Sequence, residues 1–206
     1  MALQPNLKPL IIAGSPSAPQ TIDVFCDPQW ITSARTARRS RSRLTKSSSP
    51  LLNQQYGGKV KIIFRNQVQP WHASSTLVHE AGIAVARVAP DQFWAFSLAL
   101  FAKQDDFFDI PSSDLTVKQI RGKLADLAAS VIGADKRDAV LDLLTNKSSP
   151  NGGVAVTDDL KYTIKFSRQN GIHVSPTVLF DGLVANEISS SWGETEWKEF
   201  LAKKIV

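Results

Sequence analysis

Cys26 is the only thiol in this 206-residue chain, and thiols are the side chains that attack disulfides and bind soft metal ions. With one cysteine the chain forms no intrachain disulfide and cannot use two of its own thiols in exchange. Cys26 ends an apolar run, which is typical of a small buried side chain. The alternative is a displaced thiol that forms mixed disulfides or becomes glutathionylated, although Asp27 beside it opposes formation of the thiolate.

The three histidines give weaker signals for chemistry. His79-Glu80 lacks a second histidine at Ile83, so it does not match the helical zinc-protease motif. His72 is suited either to capping a helix or to facing a substrate, and the orientation of His173, just before a Val-Ser-Pro loop, stays open. No Cys/His cluster predicts a metal site, and no glycine-rich motif predicts a phosphate site. We therefore expect no metal cofactor.

Short β-branched and apolar runs predict the strands that must position these residues. The first run is followed by Gly14-Ser15-Pro16, which is typical of an edge strand. The next two are richer in β-branched and aromatic residues, as in buried strands. The predicted strands are residues 10–12, 21–26, 60–64, 177–180 and, after an Asp181-Gly182 hairpin turn, 183–184.

Apolar residues at helical spacing predict a block of helices after the second long strand. Thr116 and Gln119 have the spacing of a capping box, which predicts a helix start. Asn170-Gly171 is a typical stop signal. The predicted helices are residues 77–88, 93–101, 120–131, 140–144, one from about Leu160 to this stop, and a last one through Trp197, Leu201 and Ile205.

The order of these elements predicts an α/β fold. A strand–crossover–strand unit implies parallel pairing, and the Asp181-Gly182 turn adds an antiparallel edge. The sequence therefore predicts a single domain over residues 1–206. It has a mixed central sheet, helices on both faces and an all-helical insertion at about 72–148.

This layout resembles the DsbA-like family, in which a thioredoxin fold carries a helical insertion. The resemblance covers roughly residues 9–204, except 30–49. Phe25-Cys26-Asp27-Pro28-Gln29 is similar to the strand end that precedes the family's Cys-Pro-aromatic-Cys or Cys-Pro-aromatic-Ser motif. The other matching segments are Gln69-Pro70-Trp71-His72, Phe93-Trp94 with Leu100-Phe101 and Gln104, which resemble the insertion of cytosolic single-domain members, and Gly171 through Thr177, which resembles the family's cis-proline segment.

The resemblance implies thiol–disulfide oxidoreductase chemistry, but with a degenerate motif. In the family a helix N-terminus favours the thiolate of the first cysteine, and a second cysteine resolves the mixed disulfide. The corresponding positions are Trp30 and Ser33, with Ile31 in place of the proline. The resemblance therefore implies a redox-inactive protein that binds a peptide or small thiol ligand in a groove formed by Trp71, His72, Val174, Ser175 and Pro176.

A second interpretation is a glutathione-dependent transferase or isomerase. Kappa-type glutathione transferases share this insertion topology and use a serine in place of the first cysteine. In this chain a serine stands only at the later position, Ser33, which is also suited to the start of a helix. Glutathione would then be the ligand of the groove.

Residues 31–49 consist mainly of Ser, Thr, Arg and Lys, and no Asp or Glu occurs from Pro28 through His79. Three interpretations are open. The stretch is a solvated loop or helix, or its Arg35–Arg43 arm binds phosphate backbones as part of a non-enzymatic interaction protein. Alternatively it is not native coding sequence, because the expected apolar helix and the Cys-Pro motif are missing together.

Composition favours a chain with an ordinary hydrophobic core. Hydrophobic residues make up 43% of it, and the formal net charge is +5. No apolar run reaches the roughly 18 residues that predict a membrane helix, and the N-terminus lacks the layout of a signal peptide. The expected location is the cytoplasm, because a single cysteine gives no disulfide scaffold.

Overall fold

The computed structural model describes residues 3–28, 55, 56, 58–189 and 191–205. Several residues of the sequence-based interpretation fall outside these ranges. They are Trp30 and Ser33 of the degenerate motif, the basic segment 31–49 and its arginines Arg35–Arg43. No helix among the described residues is both long and apolar enough to cross a membrane.

Within the described residues, five strands form one mixed sheet in the order β1-β3-β2-β4-β5. β2 and β3 pair in parallel, and the other neighbouring pairs are antiparallel. The parallel pair, the edge position of β1 and the antiparallel hairpin confirm the predicted topology. The strands are β1 (Ile11–Ala13), β2 (Gln20–Cys26), β3 (Val60–Asn66), β4 (Thr177–Phe180) and β5 (Leu183–Val184).

Strands β2 and β3 are buried along almost their whole length, because helices cover both faces of the sheet. Asp23 interrupts this apolar core, but its Oδ1 accepts a hydrogen bond from Arg65 Nε at 2.7 Å. The Arg65 guanidinium also lies 4.4 Å from the ring centre of Phe166. This pairing on neighbouring strands keeps two opposite charges together inside the core.

Among the described residues, six α-helices lie between β3 and β4, of which the first five form the insertion, and a seventh helix follows β5. The insertion confirms the predicted all-helical block, and the ends of its helices differ from the predicted ends by a few residues. The helices are α1 (Ser75–Val88), α2 (Phe93–Ala102), α3 (Asp109–Ser112), α4 (Val117–Ile132), α5 (Arg137–Leu143), α6 (Thr157–Gln169) and α7 (Glu194–Lys204).

Local signals in the sequence explain most of the element ends. Thr116 and Gln119 form the predicted capping box at the start of α4. Asp181 and Gly182 both have positive φ, 48° and 85°, as a tight hairpin turn requires. The predicted bounds of two helices were wrong at the ends: α5 starts at Arg137 and ends before Leu144, and Ile205 follows α7 as its cap.

Three layers of apolar contacts hold these elements together. One sheet face, including Ile22, Val24 and Val178, packs on Trp197 and Leu201 of α7. The opposite face packs on α1, α2 and α6. The insertion has its own core between α1, α2, α4 and α5. This arrangement fixes the ends of β2 and β3 and the loop before β4 in one region.

Candidate binding site at the proline loop

The proline loop, residues 171–176, lies against the end of β2. The backbone N–H of Asp27 donates a hydrogen bond to Ser175 Oγ at 2.9 Å, and both residues are buried. Gln67 Nε2 donates to the carbonyl oxygen of Ile172 at 3.2 Å. The Ser175–Pro176 peptide bond is cis. Two hydrogen bonds from the strand ends therefore hold the loop in place.

The carboxylate of Asp27 connects the same strand end to the start of α1. Its Oδ2 accepts hydrogen bonds from the backbone N–H of Gln69 at 2.9 Å and from Ser75 Oγ at 2.6 Å. Ser75 is the first residue of α1, where the helix dipole favours a negative charge. The charge–dipole interaction and these two hydrogen bonds compensate for burying the carboxylate.

His79 completes this buried polar group from the next turn of α1. Its Nδ1 lies 3.0 Å from Asn66 Oδ1, and its Nε2 lies 3.7 Å from Asp27 Oδ1. Burial lowers the pKa of His79 below its ordinary value, and the Asp27 carboxylate and a hydrogen bond with the Gln67 backbone oppose that change. His79 is therefore a buried, neutral side chain near pH 7, and its ring contacts residues at the ends of β2 and β3.

No motif in the sequence connects Asp27, Ser75 and His79. Ser75 and His79 are four residues apart, so in an α-helix they lie on the same face. A spacing of four residues is common in helices, so on its own it does not indicate a polar site. The contact with Asp27 depends on how α1 docks on the sheet, which periodicity does not show.

A cavity of about 380 Å³ lies on the outer side of the proline loop. Val174 and Pro176 of the loop line it, together with Val184 and Asn186 from the segment that starts at β5. Val174 is 53% exposed and Val184 is 49% exposed, so two apolar side chains are accessible at the cavity, beside the polar side chains of His173 and Asn186. The described residues that line this cavity include no Asp, Glu, Lys or Arg. The cavity is thus suited to an uncharged, partly apolar ligand.

Three residues expected in the groove do not line this cavity. Ser175 is buried and its hydroxyl accepts the hydrogen bond from Asp27, so it supports the loop from behind. Trp71 is 63% exposed but lies outside the cavity. His72 also lies outside it, because Asp109 at the start of α3 brings a carboxylate within 3.0 Å of His72 Nδ1. Of the predicted groove residues, the structure brings Val174 and Pro176 together at the cavity.

Cys26 faces the core. It is only 6% exposed and belongs to an apolar cluster with Leu10 and Phe64. Its Sγ lies 3.9 Å from the carbonyl oxygen of Asp27, to which it is a weak donor. This placement fits the interpretation of Cys26 as a small buried side chain. Among the described residues, no three His, Cys, Asp or Glu side chains are arranged to hold a metal ion.

Comparison with known proteins gives similarity in structure alone. No family model matches the sequence, and no curated protein matches it. A protein from Pseudomonas syringae proposed to be a protein-disulfide isomerase has 23% identity and a TM-score of 0.70, with 95% of this chain and 99% of that chain covered.

Two further solved structures have the same architecture. BdbD from Bacillus subtilis, in its oxidised form, has 22% identity and a TM-score of 0.63, with 99% and 97% of the two chains covered. DsbA from Chlamydia trachomatis has 14% identity and a TM-score of 0.56, with 93% and 89% covered. Together with the mixed sheet and the helical insertion, these similarities show that the chain has the DsbA-like thioredoxin fold.

Proposed function

We propose that this chain is a thioredoxin-fold binding protein that does not carry out dithiol–disulfide exchange and that holds an extended, uncharged peptide segment at the proline loop. The observation that carries the proposal is the placement of its one cysteine, which is buried in the core at the end of β2. The cavity beside Val174 and Pro176 supplies the surface for binding.

Disulfide exchange needs an accessible thiolate and then a second thiol. The thiolate attacks one sulfur of the substrate disulfide and expels the other as a thiolate, and the second thiol then releases the mixed disulfide. In this chain the two positions that the resemblance assigns to these thiols are Trp30 and Ser33. An indole does not attack a disulfide, and Cys26 is too buried to replace it.

The composition of the cavity favours a peptide over glutathione. Glutathione carries two carboxylates, which are recognised best by Arg, Lys or helix N-termini. The described residues around this cavity supply apolar side chains, backbone groups, the His173 ring and the Asn186 amide. Such a mixture fits an extended segment with small apolar side chains.

The alternative functions stay predictions. A kappa-type transferase activity would depend on Ser33, and nucleic-acid binding would depend on Arg35–Arg43. All of these residues lie outside the described ranges. A cytoplasmic location is likewise part of the proposal, and it rests on the sequence alone.

Binding of an unfolded chain without thiols tests the proposal. The probe is fluorescently labelled ribonuclease A that has been reduced and carboxamidomethylated, and the readout is fluorescence anisotropy. We expect saturable binding. Val174→Asp should weaken binding about tenfold, because it replaces an accessible apolar side chain of the cavity by a charge and each 1.4 kcal/mol changes affinity tenfold.

The matched control is Val117→Asp, on helix α4. Val117 has nearly the same exposure as Val174, 49% against 53%, and does not line the proline-loop cavity. This variant should bind the probe as the wild type does. Absence of saturable binding, or an equal loss in both variants, would contradict a site at the proline loop. Reduced glutathione should not displace the probe, and displacement would favour the glutathione-dependent alternative.

A further inference from the structure

A second cavity lies in the helical insertion and shares no lining residue with the cavity at the proline loop. Its volume is about 570 Å³, and it opens between the first turns of α4 and the end of α5. This volume is in the range of small-molecule sites. Nothing in the proposed peptide binding uses this part of the molecule.

The wall of this cavity is largely apolar. Val117, Leu141 and Leu144 line it, and Val117 is about half exposed. Gly122, in the interior of α4, also lines it, and a Cβ added there would meet no heavy atom within 4 Å. Glycine inside a helix is destabilising relative to alanine, and here no neighbouring atom requires it. Its effect is to leave the cavity open.

The charged groups that line the cavity are all cations. They are Lys118, Arg121 and Arg137, and no Asp or Glu among the described residues lines it. The carboxylates that pair with the two arginines lie outside the lining: Glu80 binds Arg121, and Asp126 and Asp138 bind Arg137. The positive end of the α4 dipole is at the same opening.

Arg121 is fixed before any ligand arrives. Its Nη1 donates to Asn146 Oδ1 at 2.6 Å, and its Nη2 donates to Glu80 Oε2 at 3.0 Å. A guanidinium has five N–H donors, so further donors remain on a side chain whose position is already set. A preorganised cation loses little conformational entropy on binding an anion.

We propose that this cavity binds a small organic anion with an apolar chain, such as a medium-chain carboxylate. The carboxylate lies at the Lys118 and Arg121 side of the opening. The hydrocarbon chain covers Val117 and Leu141 and fills the space beside Gly122. Charge complementarity selects the head group, and the apolar wall selects the tail.

Isothermal titration calorimetry with three ten-carbon probes tests the proposal on the whole chain. The probes are decanoate, decanol and decyltrimethylammonium, all kept below their aggregation concentrations. Decanoate should bind one site, about tenfold or more tighter than decanol, because the charge-assisted contacts are lost in the alcohol. No saturable decanoate binding, or equal binding of the cationic probe, would overturn the proposal.

Variants locate the site. Gly122→Leu should abolish decanoate binding without lowering the Tm, since its side chain enters open space. Ser130→Leu, at an exposed position further along α4, is the matched control and should bind as the wild type does. Lys118→Gln should weaken binding about tenfold and provides a second test if Gly122→Leu fails to fold. Equal loss in Gly122→Leu and Ser130→Leu, or no effect of both cavity variants, would overturn the assignment.

Discussion

The backbone N–H of Asp27 donates to the side-chain oxygen of Ser175 at 2.9 Å, and this bond joins the end of β2 to the proline loop. The Asp27 carboxylate accepts a hydrogen bond from Ser75 Oγ at the start of α1. One residue therefore connects the sheet, the loop beside the cavity and the helical insertion. The shape of the proposed binding site depends on this connection.

Ser175→Ala should destabilise the protein by about 1–3 kcal/mol, because it removes the buried acceptor for the Asp27 N–H. Urea unfolding followed by circular dichroism measures the free energy of unfolding. The control is Thr177→Val, which removes the exposed hydroxyl that donates to the Val174 carbonyl at 2.7 Å. The free energy of unfolding should fall less in Thr177→Val than in Ser175→Ala, since water can replace an exposed hydrogen bond. An equal decrease in the free energy of unfolding in both variants would argue against a stabilising buried hydrogen bond at Ser175.

Asp27→Asn should cost roughly 3 kcal/mol of stability. The substitution keeps the shape but removes the charge that accepts hydrogen bonds from the Gln69 N–H and from Ser75 Oγ, and hydrogen bonds to charged groups contribute about 1.5–3 kcal/mol each. Asp109→Asn, at a half-exposed carboxylate that contacts His72, should stay within about 0.5 kcal/mol of the wild type. A neutral effect at Asp27 would mean that the carboxylate does not hold the two segments together.

His79 should make the protein less stable in mild acid. Its pKa is lowered in the folded state, mainly by burial, so below the ordinary value of 6.5 the unfolded chain binds a proton that the folded chain does not. This contribution to stability is complete above pH 6.5 and is lost as the pH falls below it, with a slope of at most about 1.4 kcal/mol per pH unit.

The measurement is urea unfolding of wild type and His79→Gln at pH 7.5 and pH 5.5. The wild type should lose more stability than the variant between these values. Glu80, whose pKa is raised by burial, changes stability in the opposite direction, but it is present in both proteins, so the difference isolates His79. Equal losses would contradict a lowered pKa of His79 in the folded state.

Signals close together in the sequence predicted the fold well. The β-branched run before Phe64, the Thr116–Gln119 capping box and the Asp181-Gly182 turn each act over a few residues, and each was found where expected. The fold class followed from the order of such elements. Positions 30–49, where local pattern and fold disagree, lie outside the described residues.

The candidate site was harder to predict because it is made by tertiary contacts. Of the residues predicted for the groove, Val174 and Pro176 line the cavity, whereas the Ser175 hydroxyl accepts a hydrogen bond from the Asp27 N–H. His72 contacts Asp109 because α3 folds back toward it, over 37 positions in the chain. The cavity beside Gly122 depends in the same way on how two helices pack.

The central claim is that this DsbA-like fold does not carry out disulfide exchange, and reduction of insulin by dithiothreitol tests it most directly. The time to the onset of turbidity is compared without protein, with the wild type and with Cys26→Ala, each at a concentration equal to that of insulin. The account predicts the same onset in all three samples. An earlier onset with the wild type that disappears in Cys26→Ala would contradict it, because Cys26 would then be a reactive thiol.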